Sequence, residues 1–143
     1  MIYECIVDAS VGIKLFLEED GSTQASQLFR QLAENPRARF YVPDLFFVEC
    51  ANILWKYVRR FGYPAKNARQ DVADLQALAL RTISTADLIA LALELALTYG
   101  ITAYDASYAA LAQHRNLPLV TADESLISKL QKSGVETLKL TAI

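Results

Sequence analysis

The chain has 143 residues, of which 53% are hydrophobic and 21% are charged, and its formal net charge at pH 7 is -2. A chain of this length and apolar content can bury a substantial core, which excludes an intrinsically disordered protein and predicts one domain spanning residues 1–143. The near-balanced charge excludes a surface that is basic all over, but it leaves room for a local basic groove that binds nucleic acid.

The predicted elements alternate between strands and helices along the chain. The first half contains a strand over 2–7, helices over 11–17 and 24–33, the strand ARFYVPD, and helices over 44–60 and 65–79. The second half contains the strand LRTIS, a helix ending at Tyr99, a helix over 105–114, the strand PLVTAD, a helix over 124–132 and a strand over 135–138.

Turn and cap signals mark the ends of several elements. Gly62 and Pro64 end the long helix over 44–60, and Gly100 ends the later helix that runs to Tyr99. Ser84 and Asp87 have the spacing of a capping box, which predicts a helix start at this point. No two predicted strands are joined by a two-residue hairpin turn, which favours parallel pairing. The alternation predicts an α/β fold with a mainly parallel central sheet.

The cysteines, the histidine and the apolar segments indicate the compartment. Cys5 and Cys50 lie in apolar surroundings, so we expect buried thiols in a reducing environment. A zinc site lacks partners because His114 is the only histidine. The first residues lack the pattern of a secretion signal, and the apolar segment LIALALELALTYG is too short to span a bilayer. We therefore expect a soluble cytoplasmic protein with no membrane partner.

Three carboxylates follow strand-like segments. Asp8 follows the first predicted strand, Asp123 follows PLV, and Asp105 follows the short segment ITA. Because ligands of open parallel sheets bind beyond the carboxyl ends of the strands, we expect the three acids on one rim. Asp105 also lies in the small and apolar run TAYDASYAALA, where a lone carboxylate is costly unless it is paired, protonated or metal-bound. Helix capping and helix-dipole stabilisation are the alternative roles of these acids.

A fourth acid, Glu49, interrupts the apolar run LFFVECANILWKYV. Helical periodicity places it in one polar stripe with Asn52, Lys56, Arg59 and Arg60. The stripe begins with an acid and an amide and becomes basic over roughly 16 Å. An ordinary solvent-facing side of an amphipathic helix is the alternative.

Crowded carboxylates raise one another's pKa, and a divalent cation relieves that conflict. Ligands that are all oxygen suit Mg²⁺ or Mn²⁺, which can activate water and shield the charge of a phosphate. The chain contains no GxSxG, GxxxxGK[ST] or GxGxxG motif, so neither a nucleophile elbow nor a common nucleotide-binding loop is indicated. The acids therefore predict a metal site.

Four motifs in order resemble the PIN domain, and most closely the VapC-type toxin ribonucleases of toxin–antitoxin pairs. The motifs are IVDAS with Asp8 and Ser10, VPDLFFVECANIL with Glu49 and Asn52, ITAYDASYAALA with Asp105, and LVTADESL with Thr121 and Asp123. The resemblance covers the whole chain. It implies a compact three-layer α/β/α domain of PIN type with a short, mainly parallel central sheet.

The resemblance implies cleavage of single-stranded or looped RNA by a water activated by Mg²⁺ or Mn²⁺. The implied catalytic and metal-binding residues are Asp8 and Asp105 as principal ligands, with Glu49 and Asp123 completing the cluster. The residues implied to orient carboxylates and water are Ser10, Asn52 and Thr121. The residues implied to hold the RNA backbone, unless they only face solvent, are Lys56, Arg59 and Arg60.

The resemblance also implies a homodimer and a VapB-type antitoxin that masks the active site. The long helix carries apolar residues on both flanks of its polar stripe. One flank would face the core, and the other would face a partner through some of Phe46, Phe47, Trp55 and Tyr57. A fully buried helix is the alternative.

Two other functions remain open from the sequence. A catalytically inactive PIN-like module would bind RNA or protein without binding Mn²⁺. A receiver-type phosphoacceptor also uses acids at strand ends, but receivers pair two acids after the first strand, whereas IVDAS carries one.

Overall fold

A computed structural model of the chain describes residues 2–143 and contains a five-stranded central sheet. The strands are β1 Glu4–Val7, β2 Arg39–Pro43, β3 Arg81–Ile83, β4 Leu119–Thr121 and β5 Thr137–Lys139. The helices are α1 Ala9–Gly12, α2 Ser22–Glu34, α3 Leu45–Phe61, α4 Ala65–Ala77, α5 Ile89–Tyr99, α6 Ala103–Arg115 and α7 Glu124–Lys129. Short 3₁₀ turns cover Ile13–Leu15, Thr85–Asp87 and Leu140–Ala142.

All neighbouring strands are parallel, and their order is β3-β2-β1-β4-β5. β1 lies at the centre, with Cys5 beside Phe40 of β2 and Val7 beside Val120 of β4. The chain order reverses between β1 and β4, which is where open α/β sheets form their ligand crevice. The predicted α/β fold with a parallel central sheet is confirmed.

The two central strands are buried on both faces. Ile6 and Val7 of β1 and Leu119 and Val120 of β4 are fully inaccessible to solvent, as expected for parallel strands covered by helices. The predicted burial of the two cysteines is also confirmed, and both thiols are free. The ends of β1 and β4 are therefore rigid positions from which to hold side chains.

The predicted helix over 11–17 is wrong in its extent. The α-helix is only Ala9–Gly12 and tightens into a 3₁₀ turn over Ile13–Leu15. Gly12 packs against the Phe46 ring of α3, and a Cβ at this position would lie 2.6 Å from Phe46 Cζ. This close approach of α1 to α3 depends on the missing side chain.

The predicted capping box at Ser84 and Asp87 is also wrong. Ser84 makes no side-chain cap, and a 3₁₀ turn separates it from α5, which begins at Ile89. Instead the Asp44 carboxylate accepts hydrogen bonds from the Thr85 hydroxyl and from the Thr85 N–H at 3.0 Å. The Asp87 N–H, which the capping box would have satisfied, donates to the Ser84 carbonyl instead.

A helix that crosses a bilayer needs about 20 predominantly apolar residues. Among residues 2–143 no single helix is long and apolar enough to cross one. Ile89–Tyr99 and Ala103–Arg115 would pass together by length and composition, but they are bent by 113° relative to each other.

Candidate active site

Four predicted site acids come from four different parts of the fold. Asp8 directly follows β1, Asp123 follows β4, and Glu49 lies near the start of α3, which follows β2. The expectation that Asp105 follows a strand is wrong, because it lies in the first turn of α6 after a non-strand segment. The charges of Asp8 and Asp105 both raise the pKa of Glu49, and the charges of Asp8 and Asp123 raise the pKa of Asp105. The four carboxylates are thus close enough to affect one another.

Asp8 is the most buried of the four acids, with 6% of its surface exposed. Its Oδ2 accepts hydrogen bonds from Thr121 Oγ1 at 2.7 Å and from Ser10 Oγ at 3.0 Å. It occupies the N-cap position of α1 but makes no side-chain cap, so its hydrogen bonds do not serve the capping role considered as an alternative. Burial raises the pKa of Asp8 above its ordinary value, although both hydroxyl bonds act to lower it.

The two hydroxyls beside Asp8 are themselves held by backbone donors. Ser10 Oγ accepts the Ala122 N–H at 3.1 Å, and Thr121 Oγ1 accepts the Asp123 N–H at 3.1 Å. Because each oxygen receives a backbone proton, its own proton is directed at the Asp8 carboxylate. The segment after β4 therefore orients the acid that follows β1.

Asp105 is half-buried at the start of α6, and its backbone N–H donates to Thr102 Oγ1 at 3.1 Å. Thr102 caps the helix, which is why α6 begins two residues earlier than predicted. Burial, together with the charges of Asp8 and Asp123, raises the pKa of Asp105 to about 6. The charge of Lys129 on α7 acts in the opposite direction.

Glu49 is held by a tyrosine that the sequence had not placed in the site. The hydroxyl of Tyr108, which is fully buried on α6, donates to Glu49 Oε1 at 2.6 Å. Burial raises the pKa of Glu49, and the bond from Tyr108 lowers it. The missed signal is a tyrosine three residues after Asp105 in a helix of small residues, because a buried phenol usually needs a hydrogen-bond partner.

Asp123 fulfils the capping role that was considered as its alternative. Its Oδ1 accepts the Leu126 N–H at 3.1 Å at the start of α7. The side chain is otherwise exposed, and its charge still raises the pKa of Asp105. Capping uses one carboxylate oxygen, so it is compatible with a further role for the other.

The four acids form an open rim instead of a closed cage of ligands. Within residues 2–143 no three His, Cys, Asp or Glu side chains are arranged to hold a metal ion as they lie. The chemistry of the donors nevertheless fits a hard cation, since every group is a carboxylate and the charges of neighbouring acids raise the pKa values of Glu49 and Asp105. A bound cation would relieve that repulsion.

The remaining predicted residues lie on the exposed side of α3. Asn52 is exposed, and its side chain makes no hydrogen bond with any residue in the described range 2–143. Lys56, Arg59 and Arg60 are exposed as well, and the Arg59 guanidinium lies 5.7 Å from the centre of the Trp55 ring. The structure therefore leaves the basic end of the stripe free to face a ligand.

The predicted partner-facing flank of α3 is exposed only in part. Phe46 is fully buried against α1 and cannot take part in such a surface. Phe47 and Tyr57 are half-buried, whereas 57% of Trp55 is exposed. The helix is thus neither fully buried nor free along the whole flank.

Comparison with known proteins supports the same fold and family for the chain. The PIN domain model matches residues 5–132. Ribonuclease VapC3 of Pyrobaculum aerophilum is 36% identical over 126 residues, which are 87% of this chain and 92% of that protein. The crystal structure of PAE2754 from Pyrobaculum aerophilum has a TM-score of 0.70 and 25% identity, covering 94% of this chain and 83% of that one.

A more distant structure, a toxin–antitoxin complex from Klebsiella pneumoniae, shares the fold. It has a TM-score of 0.67 and 19% identity, and the superposition covers 97% of this chain and 99% of that one. The family model extends over most of the described residues, from within β1 to beyond α7. This chain belongs to the PIN-domain family.

Proposed function

We propose that this chain is a metal-dependent endoribonuclease and acts as the VapC-type toxin of a toxin–antitoxin pair. The observation that carries the proposal is a rim of four acids in a PIN-domain chain, in which each acid acts on or feels the charge of at least one other. The similarity of the chain to Ribonuclease VapC3 supports RNA as the substrate. The family assignment supports the reaction class, and the carboxylate-only donors support Mg²⁺ or Mn²⁺ as the ion.

Each acid has a distinct place in the proposed site. Asp8 and Asp105 would be the principal ligands of the ion, and Glu49 and Asp123 would complete the cluster. When bound, the ion supplies a water that is a better nucleophile and offsets the negative charge of the phosphodiester. The protein's own contribution is to hold carboxylates of raised pKa at one rim, where the ion favours their charged form.

The surrounding polar residues would support the acids and the substrate. Ser10 and Thr121 orient Asp8 through the two hydroxyl bonds described above. Asn52 is proposed to contact water or substrate, since it is exposed one helical turn from Glu49. The exposed side chains proposed to bind the RNA backbone through their charge are Lys56, Arg59 and Arg60.

Cleavage of a fluorescently labelled single-stranded RNA by the purified chain tests the proposal. Activity should require Mn²⁺ or Mg²⁺ and stop with chelator. Asp8→Asn and Asp105→Asn should each reduce the rate at least 100-fold. Asp74→Asn, at an exposed acid on α4 whose partner is Gln70, is the matched control and should cleave like wild type. Full activity in both site variants would contradict the assignment.

A catalytically inactive PIN-like module is the second candidate. One observation favours it, namely that no three acids among residues 2–143 are placed to hold an ion. Calorimetry with Mn²⁺ separates the two functions. Saturable Mn²⁺ binding that is lost in Asp8→Asn supports the nuclease, and no binding heat supports the module.

The proposed partners are a VapB-type antitoxin and a second copy of the chain. An apolar cleft of about 410 Å³ between α3 and α4 includes Trp55 and Val72 and would suit an apolar segment of the antitoxin. On α5, Ile89, Leu93 and Leu97 are 47%, 51% and 71% exposed at intervals of four residues. Such a stripe on one helix face suits a symmetric contact with another copy.

A further inference from the structure

Tyr108 links the buried helix α6 to an acid on α3. Its ring is fully inaccessible to solvent, and its hydroxyl makes a short hydrogen bond of 2.6 Å to Glu49 Oε1 across 59 residues of chain. No other hydrogen bond to the Glu49 carboxylate is made within residues 2–143. The position of this acid therefore depends on one buried donor.

α6 is a rigid base for that donor. Every residue from Ala106 to Ala112 is buried, and the helix contacts both β1 and β2. Asp105 and Tyr108 are three residues apart and therefore lie on the same helix face. One helix thus presents an acid of the rim directly and controls a second acid through the phenol.

Without the phenol, Glu49 would be a long side chain with several accessible rotamers. Fixing such a side chain costs conformational entropy, and a hydrogen bond to its carboxylate offsets part of that cost before any ligand arrives. We propose that Tyr108 is a positioning residue of the nuclease site, whose hydroxyl holds the Glu49 carboxylate in place for the divalent cation. This inference rests on the proposed function.

The electrostatics of the pair agree with that role. Burial and the neighbouring acids raise the pKa of Glu49, while the Tyr108 hydroxyl stabilises the carboxylate form. Burial also raises the pKa of Tyr108 itself far above its ordinary value, so the phenol stays protonated and remains a donor. The phenol is therefore a permanent hydrogen-bond donor to Glu49 Oε1.

Tyr108→Phe tests the inference because it retains the buried ring and removes only the hydroxyl. The Mn²⁺ concentration that gives half-maximal RNA cleavage should rise about 10-fold, and calorimetry should show a matching loss of Mn²⁺ affinity. Most of the rate should return at saturating Mn²⁺. Tyr63→Phe is the matched control, since it also removes a phenol bonded to a carboxylate, that of Asp71, and its Mn²⁺ dependence should equal that of wild type.

A double-mutant cycle separates positioning from a purely structural role. In the Glu49→Ala background, Tyr108→Phe should cause no further change in Mn²⁺ affinity, because the group that it positions is gone. If the losses of Mn²⁺ affinity caused by Tyr108→Phe and by Glu49→Ala are additive, the inference is overturned. It is also overturned if Tyr108→Phe lowers the melting temperature in chelator while the Mn²⁺ dependence of cleavage stays at the wild-type value. A wild-type chain that neither binds Mn²⁺ nor cleaves RNA overturns the proposed function and the inference with it.

Tyrosine-labelled wild-type protein gives a second test that needs no folded Tyr108 variant. In chelator, Glu49→Gln should shift one tyrosine Cζ resonance in the ¹³C NMR spectrum, which assigns that resonance to Tyr108. Titration of the wild-type chain with Mg²⁺ should shift the same resonance. If no tyrosine resonance responds to Mg²⁺ in a chain that cleaves RNA, Tyr108 does not sense the occupied site and the inference is overturned.

Discussion

At the scale of single residues, the site is organised around one buried carboxylate. Asp8 has two hydroxyl donors, and each hydroxyl is fixed by a backbone N–H from the segment after β4. These bonds hold a charge that burial disfavours. The charged form of Asp8 therefore needs a nearby cation, because without one burial favours the protonated carboxyl.

The raised pKa of Asp105 should make the stability of the fold depend on pH. Its pKa of about 6 lies above the ordinary value for aspartate, so the fold favours the protonated carboxyl. The stability that comes from this protonated form is complete below about pH 4 and is lost as pH rises through about 6. In chelator, the free energy of unfolding of Asp105→Asn relative to that of wild type should therefore rise by about 1–2 kcal/mol between pH 4 and pH 7.5. This energy allows for solvent screening of a half-exposed group.

Urea denaturation in chelator at both pH values measures this difference. Asp74→Asn serves as the control for replacing an acid outside the rim, because Asp74 is exposed on α4. A difference between Asp105→Asn and wild type that stays constant with pH would mean that the fold does not favour the protonated form of Asp105.

At the scale of elements, α6 determines whether the site is assembled. Its alanines allow the helix to pack closely against the sheet, and Ala109 is fully buried. Ala109→Leu adds three carbon atoms where the core has no room, so the free energy of unfolding should fall by about 1–3 kcal/mol. Thermal denaturation should show this loss, whereas Ala73→Leu on the exposed side of α4 should change stability little. Equal stability of the two variants would mean that α6 tolerates displacement.

The sequence predicted the elements better than the contacts between them. Hydrophobic periodicity and turn residues located the strands and the long helices, because both signals are local in the sequence. The predicted capping box at Ser84 is absent: the Asp87 N–H donates to the Ser84 carbonyl, and Asp44, distant in the chain, bonds to Thr85. The four acids could be selected as site candidates from their motifs, but Tyr108 was not included in the site, because its bond to Glu49 joins two helices.

At the scale of the whole molecule, the exposed stripe on α5 predicts self-association. Ile89, Leu93 and Leu97 present one apolar helix face to solvent, which is costly for an isolated monomer. Leu93→Arg places a charge at the centre of that face and should shift the chain from dimer to monomer in light scattering, with a dissociation constant at least 10-fold higher. Phe61→Arg is the control, because Phe61 is 73% exposed at the end of α3 and lies outside the stripe.

The activity of the same Leu93→Arg sample separates assembly from chemistry. The stripe contains none of the four acids, so the monomer should retain Mn²⁺ binding, and any loss of RNA cleavage would reflect the need for a second copy. A Leu93→Arg chain that remains a dimer would exclude this face of α5 as the interface. The exposed Trp55 at the α3–α4 cleft would then be the next apolar surface to test.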